Sequence, residues 1–140
     1  MQIIRGTAEF QIGEETAAAI GKFDGIHRGH QALLSHILRK KEEGKRAAVF
    51  TFDPPASVFF GRNEKELTTL REKRSFFERL GIDILIEFPL NKQTAAIPAQ
   101  EFVRRILAGQ MRTVYLAAGE DVSFGDKGMG NRELHERLAP

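Results

Sequence analysis

Four short apolar runs, residues 17–23, 47–52, 82–88 and 113–118, alternate with stretches of helical periodicity, and no other feature constrains the fold as tightly. Strand-length runs separated by amphipathic helices are the pattern of βαβ units and a parallel sheet. Residues 31–43 place Leu33, Leu34, Ile37 and Leu38 on one helical face, and Gly44 is positioned to stop that helix. Thr68 or Thr69 caps a second helix that runs to Leu80, with Gly81 as its terminator. Pro98 opens a third at its first turn, with Phe102, Val103, Ile106 and Leu107 facing inward and Gly109 closing it. A short helix is also expected over residues 133–138. The expected order is β-α-β-α-β-α-β, a doubly wound α/β domain. Such sheets bind ligands beyond the carboxyl ends of their strands.

Composition narrows the class further. The chain has 140 residues, 41% hydrophobic and 29% charged, which suits one folded domain over residues 1–140. It has no cysteine, so thiolate catalysis, disulfides and cysteine-held metals are excluded. Lys and Arg number 21 against 19 Asp and Glu, a net charge of +2. The basic cluster at residues 39–46 is broken by Glu42 and Glu43, and reads as a solvated helix end, not a nucleic-acid surface. No apolar run approaches the ~18 residues of a spanning helix, and the opening residues lack the apolar stretch of a signal peptide. A cytoplasmic domain with neither membrane nor nucleic acid as partner is expected.

The chemistry concentrates after the first run, in Gly21-Lys22-Phe23-Asp24-Gly25-Ile26-His27-Arg28-Gly29-His30. Here a strand exits through a glycine turn into a helix start, whose unpaired N–H groups and positive dipole end suit phosphate. His27 and His30 can add imidazole donors to the same oxygens, and Gly29 permits close backbone approach. Asp24 can set a tautomer, brace the turn or help hold a metal. The plain alternative is an ordinary Asp24-Gly25 turn with surface histidines. Zinc shared by His27 and His30 is a second alternative, but it needs a third ligand, and His36 and His135 read as helix-face residues. Neither a Walker A lysine nor a G-x-G-x-x-G fingerprint occurs.

Residues 21–30 resemble the H-x-G-H signature of the nucleotidyltransferase superfamily. Thr51-Phe52-Asp53-Pro54 resembles a threonine-phenylalanine-acid-proline segment of prokaryotic FAD synthetases, and residues 67–73 resemble their L-T-x-x-x-E-K helix start. Gly119, Glu120 and Asp121, with Phe124, Gly125 and Gly128, resemble their glycine-rich loop. Together these segments resemble the FMN adenylyltransferase module of bifunctional riboflavin kinase/FAD synthetases. Pro55 and Ala56 stand where that family has a His-Pro pair, and Val122 stands where it has Phe. The family's later S-S-T-R-I-R-like motif and its riboflavin kinase module have no counterpart in these 140 residues.

The resemblance implies a Rossmann-like, nucleotidyltransferase-type sheet without its C-terminal strand or strands. It implies adenylyl transfer from ATP to FMN, giving FAD and pyrophosphate. His27 and His30 would be catalytic, with Gly21, Phe23, Gly25, Gly29, Phe124 and Gly125 beside ATP. Asp24, Thr51, Phe52, Asp53, Pro54 and Asp121 would face FMN. Mg²⁺ would be held mainly by substrate phosphates, with no protein-only metal site. The bland readings stand alongside: a plain strand end for Thr51 and Phe52, a turn cap for Asp121, a core role for Phe124. A silent flavin- or nucleotide-binding fragment, or a transferase for another phosphate acceptor, is the alternative function. An uncovered sheet edge would offer a route to self-association.

Overall fold

The computed structural model describes residues 1–23, 28–61 and 69–118. Asp24, Gly25, His27, Asp121, Phe124, Gly125 and the helix expected over 133–138 lie outside the described residues. The domain is α/β, built on a parallel sheet of five described strands. These are β1 (Gln2–Arg5), β2 (Thr16–Ile20), β3 (Arg46–Asp53), β4 (Ile84–Pro89) and β5 (Thr113–Ala118). Their order across the sheet is β1-β4-β3-β2-β5.

Both sheet faces are covered at the centre, so β2, β3 and β4 are apolar at most positions. Helices α1 (Arg28–Glu42) and α3 (Leu70–Leu80) pack Leu34, Ile37 and Phe77 against Ala17, Ala19, Val49 and Leu85 on one face. The helix of residues 99–110 packs Phe102, Ile106 and Leu107 against Ala18, Ile20, Phe50 and Ile86 on the other. Strand β2 lies between β3 and β5, and its three consecutive alanines are wholly buried. Their small side chains let helices approach from both sides.

Helix starts and stops follow local chemistry. Thr69 caps α3 in a reciprocal box: its hydroxyl accepts from the Glu72 N–H at 3.1 Å, and the Glu72 carboxylate accepts from the Thr69 N–H at 3.2 Å. Gly81 ends α3 at φ 96°, and Gly44 follows α1 at φ 93°. Residues 98–112 differ from expectation. Pro98 precedes the helix, whose first turn, α5 (Ala99–Glu101), widens into a π-helix over Phe102–Gln110. The Met111 N–H donates to the Ile106 carbonyl at 3.0 Å, five residues back. Gly109 therefore lies inside the helix and does not close it. A Cβ there would sit 3.2 Å from the Arg104 carbonyl oxygen. The chain instead turns at Arg112, φ 52°.

Three elements escaped the sequence pattern: β1, α2 (Ala56–Phe59) and α4 (Lys92–Ala95). Each is four residues long, too short to show a period. The first expected strand also stops earlier. It ends at Ile20, because Phe23 takes a left-handed backbone, φ 53°, and turns its side chain into the core. The third begins at Ile84, not Ile82, and reaches Pro89. Among the described residues, no helix is long and apolar enough to cross a membrane.

Candidate active site

Strand order fixes which strand ends the motifs follow. The chain steps from β2 to β3 to β4 in one direction, then returns to place β5 on the far side of β2. The reversal therefore lies between β2 and β5, the position where open α/β sheets open a crevice beyond their carboxyl ends. The histidine loop leaves β2, residues 119–131 leave β5, and Thr51-Phe52-Asp53-Pro54 ends β3 on the other side of β2. The three motif-bearing segments thus follow, in sequence, the carboxyl ends of three adjacent parallel strands.

Backbone hydrogen bonds carry the sheet out to that rim. The Gly21 N–H donates to the Phe50 carbonyl at 3.1 Å, and the Leu90 N–H donates to the Asp53 carbonyl at 3.0 Å. Gly21 is half-buried, and the space above it belongs to Phe23. That ring is fully buried and meets Phe77 of α3 edge-on, with centroids 5.4 Å apart. Phe23 therefore anchors the start of the histidine loop to both β2 and α3. Gly29 and His30 belong to the first turn of α1, whose N-terminal N–H groups face the same end of the sheet.

Residues ending β3 divide between the faces. Phe52 is partly buried among Phe50, Phe88 and Phe102, with ring centroids 5.4, 6.2 and 6.3 Å away, on the π-helix face. Thr51 is buried and Asp53 exposed, and strand alternation turns both toward the α1–α3 face. Pro54 follows Asp53 through a cis peptide bond. Of the helix-start motif, Thr69 and Glu72 make the capping box and Lys73 is buried, while Leu67 and Thr68 lie outside the described residues.

Sequence reasoning passed over one charged pair at this rim. Glu87 is opposite Thr51 in the β3–β4 register, and its side chain is completely buried. Arg74 of α3 grips it with two hydrogen bonds, Nε to Oε2 at 2.8 Å and Nη2 to Oε1 at 2.6 Å. The hydrogen bond to Glu87 raises the proton affinity of Arg74; burial opposes this, and the charges of Glu87 and Asp53 reinforce it. A carboxylate inside the otherwise apolar run Ile84–Phe88 was the available signal, since a buried charge requires a partner. Among the described residues, no group of three or more His, Cys, Asp or Glu side chains is placed to hold a metal ion.

The family comparisons agree with this geometry. Residues 9–140 match the family model described as FAD synthetase. The chain is 31% identical over 142 residues to the bifunctional riboflavin kinase/FMN adenylyltransferase of Buchnera aphidicola subsp. Schizaphis graminum, covering 99% of this chain and 46% of that protein. It is 34% identical over 133 residues to the protein of the same name from Escherichia coli K12, covering 89% and 42%. The chain thus spans about half the length of these relatives. A crystal structure described as a macrolide-efflux protein from Streptococcus pneumoniae superposes with TM-score 0.80 at 22% identity, covering 97% of this chain and 46% of that one, a likeness of fold alone. By its sequence match over residues 9–140, the chain belongs to the FAD synthetase family.

Proposed function

We propose that this domain transfers the adenylyl group of ATP to FMN, forming FAD and pyrophosphate. The observation that carries the reading is the adjacency of β5, β2 and β3, the strands whose carboxyl ends lead into the glycine-rich, histidine and threonine–aspartate segments of a FAD synthetase family chain. Use of ATP sets the reaction in the cytoplasm.

An FMN phosphate oxygen attacks the α-phosphorus of ATP, the bond from that phosphorus to the bridging oxygen breaks, and pyrophosphate leaves. A phosphate monoester with its second pKa near ~6 is mostly dianionic at neutral pH, so the attacking oxygen needs no general base. Catalysis then rests on alignment and on charge stabilisation at the phosphates. In this reading His27 and His30 donate to the ATP phosphates, with the first-turn N–H groups of α1 beneath them. Gly25 and Gly29 let the backbone approach the nucleotide, while Gly21 makes room for the Phe23 ring, which acts from below by packing the start of the loop onto α3. Phe124 and Gly125 border the adenine side. Asp24, Thr51, Asp53, Pro54 and Asp121 form the acceptor side, and Phe52 stiffens it from the aromatic cluster.

Mg²⁺ suits this donor set: Asp53 is an exposed carboxylate on the acceptor side, and such oxygens together with substrate phosphates are its usual ligands. When bound, it would supply charge neutralisation on the departing pyrophosphate. Incubation of the chain with FMN, ATP and Mg²⁺, with FAD and pyrophosphate separated by chromatography, tests the reading. Equal amounts of the two products support it. Pyrophosphate without FAD would point to another acceptor.

A further inference from the structure

We propose that the Thr51 hydroxyl is kept without a partner for a neutral hydrogen-bonding group of the FMN acceptor, and not for its phosphate. The inference rests on the acceptor-side reading given above, and names the part of the acceptor that Thr51 takes. Among the described residues two threonines are buried, and they differ. Thr16, at the start of β2, donates from its hydroxyl to the Met111 carbonyl at 2.9 Å. Thr51 is only 5% exposed, yet its hydroxyl makes no hydrogen bond among the described residues. A buried hydroxyl without a partner costs stability that a valine of the same shape would not. A ligand that supplies the missing partner offsets that cost.

The surroundings of Thr51 say which partner suits it. On the β4 side it is opposite Glu87, whose two oxygens accept from Arg74 at 2.6 and 2.8 Å. On the β2 side the chain continues into Gly21, whose N–H donates to the Phe50 carbonyl at 3.1 Å and whose Cβ space the Phe23 ring fills. An ion pair that cancels its own charge and an apolar ring therefore stand on either side. Neither draws an anion. Asp53, two residues on along the same face, is exposed, so solvent begins one strand repeat beyond Thr51. A ligand group seated at the end of β3 has only that distance to reach.

Thr51→Val removes the hydroxyl and keeps the shape, while Thr51→Ser keeps the hydroxyl. Melting temperature without ligand is measured for the 140-residue chain and both variants. Affinity for FMN, and for riboflavin, which lacks the phosphate, is read by quenching of flavin fluorescence. We expect T51V to melt at or above the wild-type temperature and to bind both flavins about fivefold more weakly or worse. T51S should bind both within about twofold of wild type. A T51V chain that melts lower, or does not fold, would show the hydroxyl already bonded in the free chain and would overturn the proposal. Unchanged flavin affinity in T51V, a loss confined to FMN, or an equal loss in T51S would overturn it too. So would a wild-type chain that takes FMN but not riboflavin. A wild-type chain that binds both flavins but makes no FAD would sink the transfer reading and leave this comparison standing. A wild-type chain that binds neither would overturn both.

Discussion

A Cβ placed on Gly21 would lie 2.9 Å from Cε2 of Phe23, so the glycine at the exit of β2 is empty space that the buried ring occupies. The left-handed turn at Phe23 swings that ring back over β2 and edge-on to Phe77. The start of the histidine loop is therefore held by packing and not by hydrogen bonds alone.

Gly21→Ala should destabilise the domain by about 1–3 kcal/mol, the usual cost of overpacking a core. Phe23→Ala should cost about 3–5 kcal/mol, as for other buried phenylalanines. Combined, G21A and F23A should cost less than their sum, because the methyl enters space the ring has left. Urea unfolding of the three variants measures this, and strict additivity would separate the two residues.

His30→Ala should lower adenylyl transfer by about 10²–10³, the scale for losing one donor to developing charge. The urea midpoint should stay near wild type, since a residue that acts on phosphate and not on packing leaves stability unchanged when removed. Turnover within tenfold of wild type in a folded H30A chain would remove the phosphate assignment.

Arg74→Met should destabilise by about 3–5 kcal/mol, because it leaves the Glu87 carboxylate buried without its partner. R74M/E87L should come back to within about 1 kcal/mol of wild type, or exceed it. Thermal melts of the single and double variants distinguish a desolvated pair from two independent packing residues.

Acid sensitivity should come partly from the opposite end of the sheet. Hydrogen bonds from Arg46 and Lys45 hold the Glu14 and Glu15 carboxyls below their ordinary value of 4.5. A depressed folded value means the stabilisation is complete above 4.5 and is lost as pH falls through the folded value. Melting temperature against pH should therefore fall less steeply below 4.5 in E14Q/E15Q than in wild type. Both pairs are exposed, so added salt should shrink the difference. Identical acid limbs would assign the loss to other carboxylates.

Much of this architecture was legible because its signals are local. Leu33, Leu34, Ile37 and Leu38 announced α1, and a threonine at 68 or 69 with Gly81 bounded α3, the structure choosing Thr69. The apolar strands reported a sheet covered on both faces. Strand β1 was not legible, since its four largely exposed residues carry no period and acquire a role only by pairing with β4. The widening of the helix at Phe102–Gln110 was hidden too, as Gly109 reads as a terminator until the five-residue hydrogen bond at Met111 is seen. At the site, the motif order along the chain was visible, but the return of β5 beside β2 is tertiary. Arg74 and Glu87 are 13 residues apart in sequence, and no helical or strand period links them. Only the packing of α3 on β4 makes them a pair.

The most direct test of the account is FAD formation by the 140-residue chain itself, followed by chromatography with FMN, ATP and Mg²⁺ in excess. The account predicts FAD and pyrophosphate in equal amounts from the wild-type chain, and FAD at least 10²-fold slower from H30A. A folded wild-type chain that binds both substrates yet forms no FAD would contradict it.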